Sequence, residues 1–390
     1  MPGSSDRLHL AIALDGTGWH PASWREPEAR PADLLTAGYW TDLVVEAERG
    51  LVDFVTIEDG LTLQSEHPFH PDDRTDRVRG RLDATLIASR VAPRTRHVGL
   101  IPTVIATHTE PFHVSKAIAT LDYVSSARAG VRVQVTARED AARNFGRRNM
   151  SDPSDADDLM GEAADYVEVV RRLWDSWEDG AEIRDITTGR FVDRKKLHYI
   201  DFEGSRFSVK GPSITPRPPQ GQPVVAALGH AQPVYELIAD AADVGFVTPH
   251  DPAEVTTLVQ AIAAHRRDPA PVRVFADLVV FLDDTAEAAT RRRERLDHVA
   301  GREYRSDAEI FAGTPTELAD LLQQWHEAGA DGFRLRPATL PHDLRQVTNA
   351  LVPELQSRGL FRTAYPGSTL RETLDLPRPA NRYSTAQDHA

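Results

Sequence analysis

The sequence predicts an α/β fold, a (β/α)8 TIM barrel with insertions, on three observations. Short apolar runs alternate with amphipathic stretches from one end of the chain to the other. The stretches between those runs carry the one-faced periodicity of amphipathic helices, which argues for a parallel sheet wrapped by helices. Eight strand and helix pairs can be counted, which closes one barrel more naturally than it builds a doubly wound sheet. At 390 residues the chain is read as one unit over 1–390, because such barrels exceed the usual domain length.

In order, the predicted strands are LHLAIAL (8–14), VDFVTI (52–57), HVGLIPTV (97–104), VRVQVT (131–136), PVVAAL (223–228), DVGFVT (243–248), VRVFADLVVFL (272–282) and GFRLRP (332–337). Helical periodicity occupies 33–49, 81–91, 112–125, 159–177, 231–241, 252–266, 285–299 with 315–329, and 342–358. Two stretches interrupt the alternation and are read as insertions: the polar segment about 60–80, and 178–222 with its short β-like pieces and prolines. The tail, about 360–390, is rich in Arg, Pro and Gly and is expected to pack along the outside.

Composition removes several functions. Forty-five basic against fifty-nine acidic residues leave a net charge of −14 with no basic stripe, which argues against a nucleic-acid partner. The absence of cysteine rules out disulfides, thiolate metal sites and a cysteine nucleophile, and fits a cytoplasmic protein. LHLAIAL is too short and too quickly followed by Asp15-Gly16 to be an export signal, and no apolar run is long enough to span a membrane. Dinucleotide, phosphate-loop, nucleophile-elbow and zinc-helix motifs are all missing. His67 and His70 have a spacing a metal could use but no partner motif, so no metal is expected.

A barrel of this kind carries its chemistry at the C-terminal ends of the strands. Those ends offer Asp15, Trp19 and His20, then Glu58 and Asp59, then Thr103, Thr107 and His108. The fourth strand offers Gln134, Thr136 and Arg138, the fifth Gly229 and His230, the sixth Thr248 and His250, and the last Arg334 and Arg336. Alternation alone leaves open which of Arg132 and Arg138 points to a ligand. A polar set with this many cationic groups suits an anionic ligand such as a phosphate-bearing cofactor.

The stretches FHVSKAIATLDYVSSARAG with AARNFG, DYVEVVRRLWDSWE, HYIDFEGSRFSVKGPSITPRPPQGQPVV and GTPTELADLLQQWHEAGADGFRLRPATLPHDLRQVTNALVPELQSRGLF resemble the bacterial luciferase-like flavin-dependent monooxygenases. The branch is that of the nitrilotriacetate and dibenzothiophene-sulfone monooxygenases, and the likeness runs from about Leu8 to Tyr383. It implies a barrel that takes reduced FMN from a separate flavin reductase, reacts it with dioxygen, oxidises a small organic substrate, and forms dimers or tetramers. By matching motif it places Asp59 near the flavin ring with Thr103 and Thr107 along its polar edge. His20 becomes the first choice for a proton donor, with His108 among the catalytic candidates; Arg132, Gln134, Thr136, Arg138, Gly229 and His230 are candidates for holding the cofactor. Three motifs depart from the family pattern: on the fourth strand Arg132 replaces an asparagine and Val135-Thr136 a Thr-Ser pair, His230-Ala231 replaces two hydroxyl donors, and Met160 replaces a tyrosine. Those departures leave two alternatives, a deazaflavin-dependent oxidoreductase and a barrel that has become a binding protein.

Overall fold

The computed structural model describes residues 7–67, 69–152, 158–267 and 270–384; the remainder of the predicted unit and of its tail lies outside the described residues. In chain order the strands are β1 (His9–Leu14), β2 (Phe54–Ile57), β3 (Gly99–Ile105) and β4 (Gly130–Gln134), followed by β5 (Glu182–Asp185), β6 (Arg190–Val192), β7 (Phe202–Glu203) and β8 (Ser208–Val209). Then come β9 (Val224–Leu228), β10 (Val244–Val247), β11 (Arg273–Leu282), β12 (Glu309–Gly313) and β13 (Gly332–Pro337). The parallel order β1-β2-β3-β4-β9-β10-β11-β13 closes on β1, giving the eight-stranded barrel, and these eight are the strands the sequence predicts. The predicted insertion 178–222 holds two antiparallel hairpins, β5 with β6 and β7 with β8. No helix among the described residues is long and apolar enough to cross a membrane.

One strand differs from expectation. The sequence reading passes straight from the helix at 285–299 to that at 315–329, whereas β12 lies between them. It pairs with Leu278–Leu282, the outer half of β11, while the inner half, Arg273–Ala276, pairs with β10. The ten-residue β11 therefore changes neighbour halfway along.

Inward positions fall two apart on each strand, which stacks the interior in layers. The lowest layer is apolar: Phe54, Phe246 and Phe275 meet with ring centroids 5.3–6.2 Å apart, over Ala11, Ile101 and Val224. Leu370, Leu374 and Leu376 belong to the same cluster, so this part of the tail is the floor of the barrel, whereas beyond it Arg378 and Arg382 reach Asp179 and Glu168 on the outside, as expected. One step up each strand the interior turns polar, at Thr56, Thr103, Arg132, Asp277 and Arg334, all buried. Strand residues facing outward, such as Leu10, Ile12, Val55, Leu100 and Leu335, pack under the surrounding helices in the largest apolar cluster.

Candidate active site

The same two-residue step lifts charge into the mouth: Phe54, Thr56, Glu58 on and after β2; Gly130, Arg132, Gln134 on β4; Gly332, Arg334, Arg336 on β13; Phe275, Asp277 on β11. Asp277 is fully buried and accepts from Arg334 Nε at 2.8 Å, Arg336 Nε at 2.9 Å and the Nη2 groups of both. Burial alone would raise its pKa, but the two guanidiniums win and hold the carboxyl below its usual value. Arg336 goes on to Asp307, just before β12, through Nη1 at 2.6 Å. Arg132 donates from Nε to Thr103 Oγ1 at 3.0 Å, and from Nη2 to Gln134 Oε1 at 3.0 Å and to Glu58. Burial pushes the Arg132 guanidinium down to about 10, opposed by Glu58, so it is still charged at neutral pH.

Above this ionic layer is a cavity of about 340 Å3. One wall is apolar, made by Val133, Val135, Met160, Leu228, Val234 and Leu237; the other carries Glu58, Arg132, Gln134, Asp307 and Arg336. Glu58 Oε1 is buried on that wall with no hydrogen-bond partner, which is costly unless a ligand supplies a donor. Trp19 covers the edge, with the Arg336 guanidinium 4.6 Å from its ring centre and its own Nε1–H donated to Ala13 O at 2.9 Å. Gly18 makes this placement feasible: its φ is +129°, and a Cβ there would overlap the Ala338 carbonyl, which accepts the His20 N–H next to the bond from Trp19 N–H to Pro337 O.

The structure brings some sequence-predicted residues together and separates others. Arg132, Gln134 and His230 line the cavity, and Thr103 lies beneath it as Arg132's acceptor. Thr107 Oγ1 accepts the Thr136 N–H at 3.0 Å and fixes the exit of β4. Arg138 is turned to Asp140 at 2.9 Å, so of the two arginines it is Arg132 that enters the mouth. Asp59 spends its carboxylate on the backbone, accepting from Gly60 N at 2.7 Å and Ala84 N at 2.9 Å; its neighbour Glu58 takes the mouth. Burial raises the Asp59 carboxyl against those two bonds. His108 is buried against Phe145, rings stacked at 5.2 Å, with Nε2 unpartnered; burial and then Arg148 lower its pKa. Gly229 admits the following helix, since a Cβ would come 2.8 Å from the Tyr235 ring.

That helix, Gln232–Ala241, starts at Ala231 with no side-chain cap; Pro233 has no N–H, so the amides left uncapped there are those of Ala231 and Gln232, between His230 and Val234 of the cavity wall. His230 beside it lies 3.3 Å from Thr248 Oγ1 and 3.5 Å from Asp307. His20 is fully buried between Phe281 and Tyr304; its Nδ1 accepts the Ala22 N–H at 3.1 Å and its Nε2 lies 3.0 Å from Asp297 Oδ1. Burial lowers its pKa, against Asp297, so the ring is neutral at pH 7 with its proton on Nε2. Trp19 and His20 also wall a second cavity, of about 280 Å3, on the far side of the indole from the mouth. Sequence reasoning reached Glu58, Arg334 and Arg336 only as strand-end residues and missed Asp277 and Asp307, although strand parity puts Asp277 inward two steps after Phe275.

Residues 19–309 match the family described as luciferase-like monooxygenase. The chain is 31% identical to the N-acetyl-S-(2-succino)cysteine monooxygenase of Bacillus subtilis (strain 168), over 98% of this chain and 100% of that one. It is 30% identical to nitrilotriacetate monooxygenase component A of Aminobacter aminovorans, over 97% and 98%. Among solved structures, a long-chain alkane monooxygenase superposes with a TM-score of 0.83 at 25% identity, over 95% of each chain.

Proposed function

The chain belongs to the luciferase-like monooxygenase family and is an enzyme of the flavin-dependent monooxygenase type, and from that premise we propose that it is the oxygenase of a two-component system. It takes reduced FMN from a separate flavin reductase and oxidises a small organic substrate with dioxygen. The observation that supports this most is the two-faced cavity: an apolar wall suited to a flat ring, opposite Gln134, Arg132 and Glu58 Oε1, which has Arg334 at 3.7 Å but no hydrogen-bond donor, suited to the ring's amide edge.

The donor set fits the cofactor. Val133, Met160, Leu228 and Leu237 would pack on the flavin, and Gln134 with Arg132 and Glu58 would hydrogen-bond it. The uncapped amides at Ala231 and Gln232, with His230, would hold the phosphate in place of the family's hydroxyl donors. Flavin, when bound reduced, supplies the electrons that activate dioxygen. The chain's part would be to orient it and to exclude water with the apolar wall and Trp19, with His20 held behind Trp19 by Asp297 and the Ala22 N–H.

Anaerobic calorimetric titration with reduced FMN tests the reading, with oxidised FMN and a deazaflavin coenzyme as controls. Micromolar or tighter binding of reduced FMN alone is the expected result. Preference for the deazaflavin, or no heat from any of the three, would overturn it. The His20→Ala variant should lose turnover more than flavin affinity; unchanged turnover would remove His20 from the reaction.

A further inference from the structure

We propose that the second cavity, beyond Trp19, binds a carboxylate group, with Arg77 and Arg305 as its ligands, and that this selects anionic substrates. The word substrate rests on the oxygenase reading; the anion site itself does not.

The insertion after β2 has no helix or strand among its described residues, yet it is built to one shape. Arg79 binds the Asp72 carboxylate and the carbonyls of Gln64 and Arg74, Gln64 holds Gly80 by both its N–H and its carbonyl, and Trp24 Nε1 donates to Asp76 O at 3.0 Å. That clasp carries Arg77 and Arg81 to the cavity wall. Arg81 is neutralised by Asp15, with contacts of 3.1 and 2.5 Å.

Arg77 is not neutralised to the same degree. Its carboxylate partner is Glu66, and the same Oε1 also takes Arg302 Nη2 at 2.9 Å and lies 3.4 Å from Arg74. Arg74 has Asp76 for its own partner, so the one charge of Glu66 is divided between two guanidiniums, Arg77 and Arg302. The Arg77 side chain is 10% exposed and its Nε is buried with no hydrogen-bond partner. Arg305 faces the same cavity and, among the described residues, makes no ion pair or side-chain hydrogen bond. Arg77, Arg81, Arg302 and Arg305 against Asp15 and Glu66 leave two positive charges in excess, while His20 is neutral. A buried donor without an acceptor and an uncompensated cationic wall are both relieved by an oxyanion, which guanidinium forks bind bidentately. An anion held there sits one indole ring from the mouth.

The full chain titrated calorimetrically with succinate, neutral succinamide and inorganic phosphate tests this. Succinate should bind and succinamide should not, the affinity should fall as salt is added, and Arg305→Ala should weaken succinate about tenfold. Arg305 is exposed, so that variant folds even where Arg77→Gln does not. Reduced FMN should bind Arg305→Ala as it binds the parent chain. Equal behaviour of succinate and succinamide, unchanged succinate affinity in Arg305→Ala, or a cavity that takes phosphate but not succinate would overturn the proposal. Succinate binding without any flavin binding would keep the anion site and sink the oxygenase reading; flavin binding without succinate would do the reverse.

Discussion

Two arginine-rich cavities share the wall of Trp19, and they treat charge differently. In the mouth, Arg132, Arg334 and Arg336 meet Glu58, Asp277 and Asp307, a guanidinium for every carboxylate. In the side cavity four guanidiniums meet two carboxylates. The mouth's groups stand on barrel strands and close to one another, so their charges are spent on architecture and leave a shaped, nearly neutral pocket. The side cavity's groups stand on loops, at 77–81 and 302–305, and their surplus has no use inside the chain. A balanced network suits a large, mostly apolar ring; an unbalanced one suits a ligand that brings its own charge.

Breaking the balance in the mouth should cost most. Asp277→Asn removes the one carboxylate that Arg334 and Arg336 share, leaving them only Glu58 and Asp307 at its edges, and should lower stability by about 3–5 kcal/mol in urea unfolding. A loss below about 1 kcal/mol would mean that the layer is solvated rather than matched. A third kind of carboxylate sharpens the comparison. Asp122 receives amide donors, from Gln220 and Ala129, and burial pushes its carboxyl up to about 6 from 3.8. Between those values the native state holds a proton that the unfolded chain has lost. Stability should therefore fall as pH rises from about 4 to above 6, by about 3 kcal/mol in full. Asp122→Asn should flatten that slope, and a slope surviving in the variant would assign it elsewhere. Glu58→Gln removes a charge from the mouth but keeps a hydrogen-bond acceptor, so about 2 kcal/mol is expected. Arg305→Ala belongs to the unbalanced side and should change the stability measured by urea unfolding by less than about 0.5 kcal/mol. A larger loss would show that Arg305 is structural.

The strands were legible because their apolar runs are long and bounded by polar turns. β12 was not: EIFAG is five residues, four of them only partly buried, and it follows the polar REYRSDA. Its pairing depends on β11 outrunning β10, a tertiary fact. The exchange of Glu58 for Asp59 in the mouth was within reach, since Phe54 and Thr56 set the parity that points Glu58 inward. The bond from His20 to Asp297 spans 277 positions and leaves no local trace. Arg77 and Arg305 were missed because loops have no period from which a facing direction can be read.

The leucines that floor the barrel have a consequence for biosynthesis. Every barrel strand precedes them in the chain, and β13 ends at Pro337, more than thirty positions before Leu370. A growing chain therefore finishes its wall before its plug exists, and Phe54, Phe246 and Phe275 wait with their lower faces uncovered until synthesis has reached Leu376. The barrel is completed from below, by apolar residues that follow every one of its strands in the chain, and a chain truncated ahead of them has its floor open.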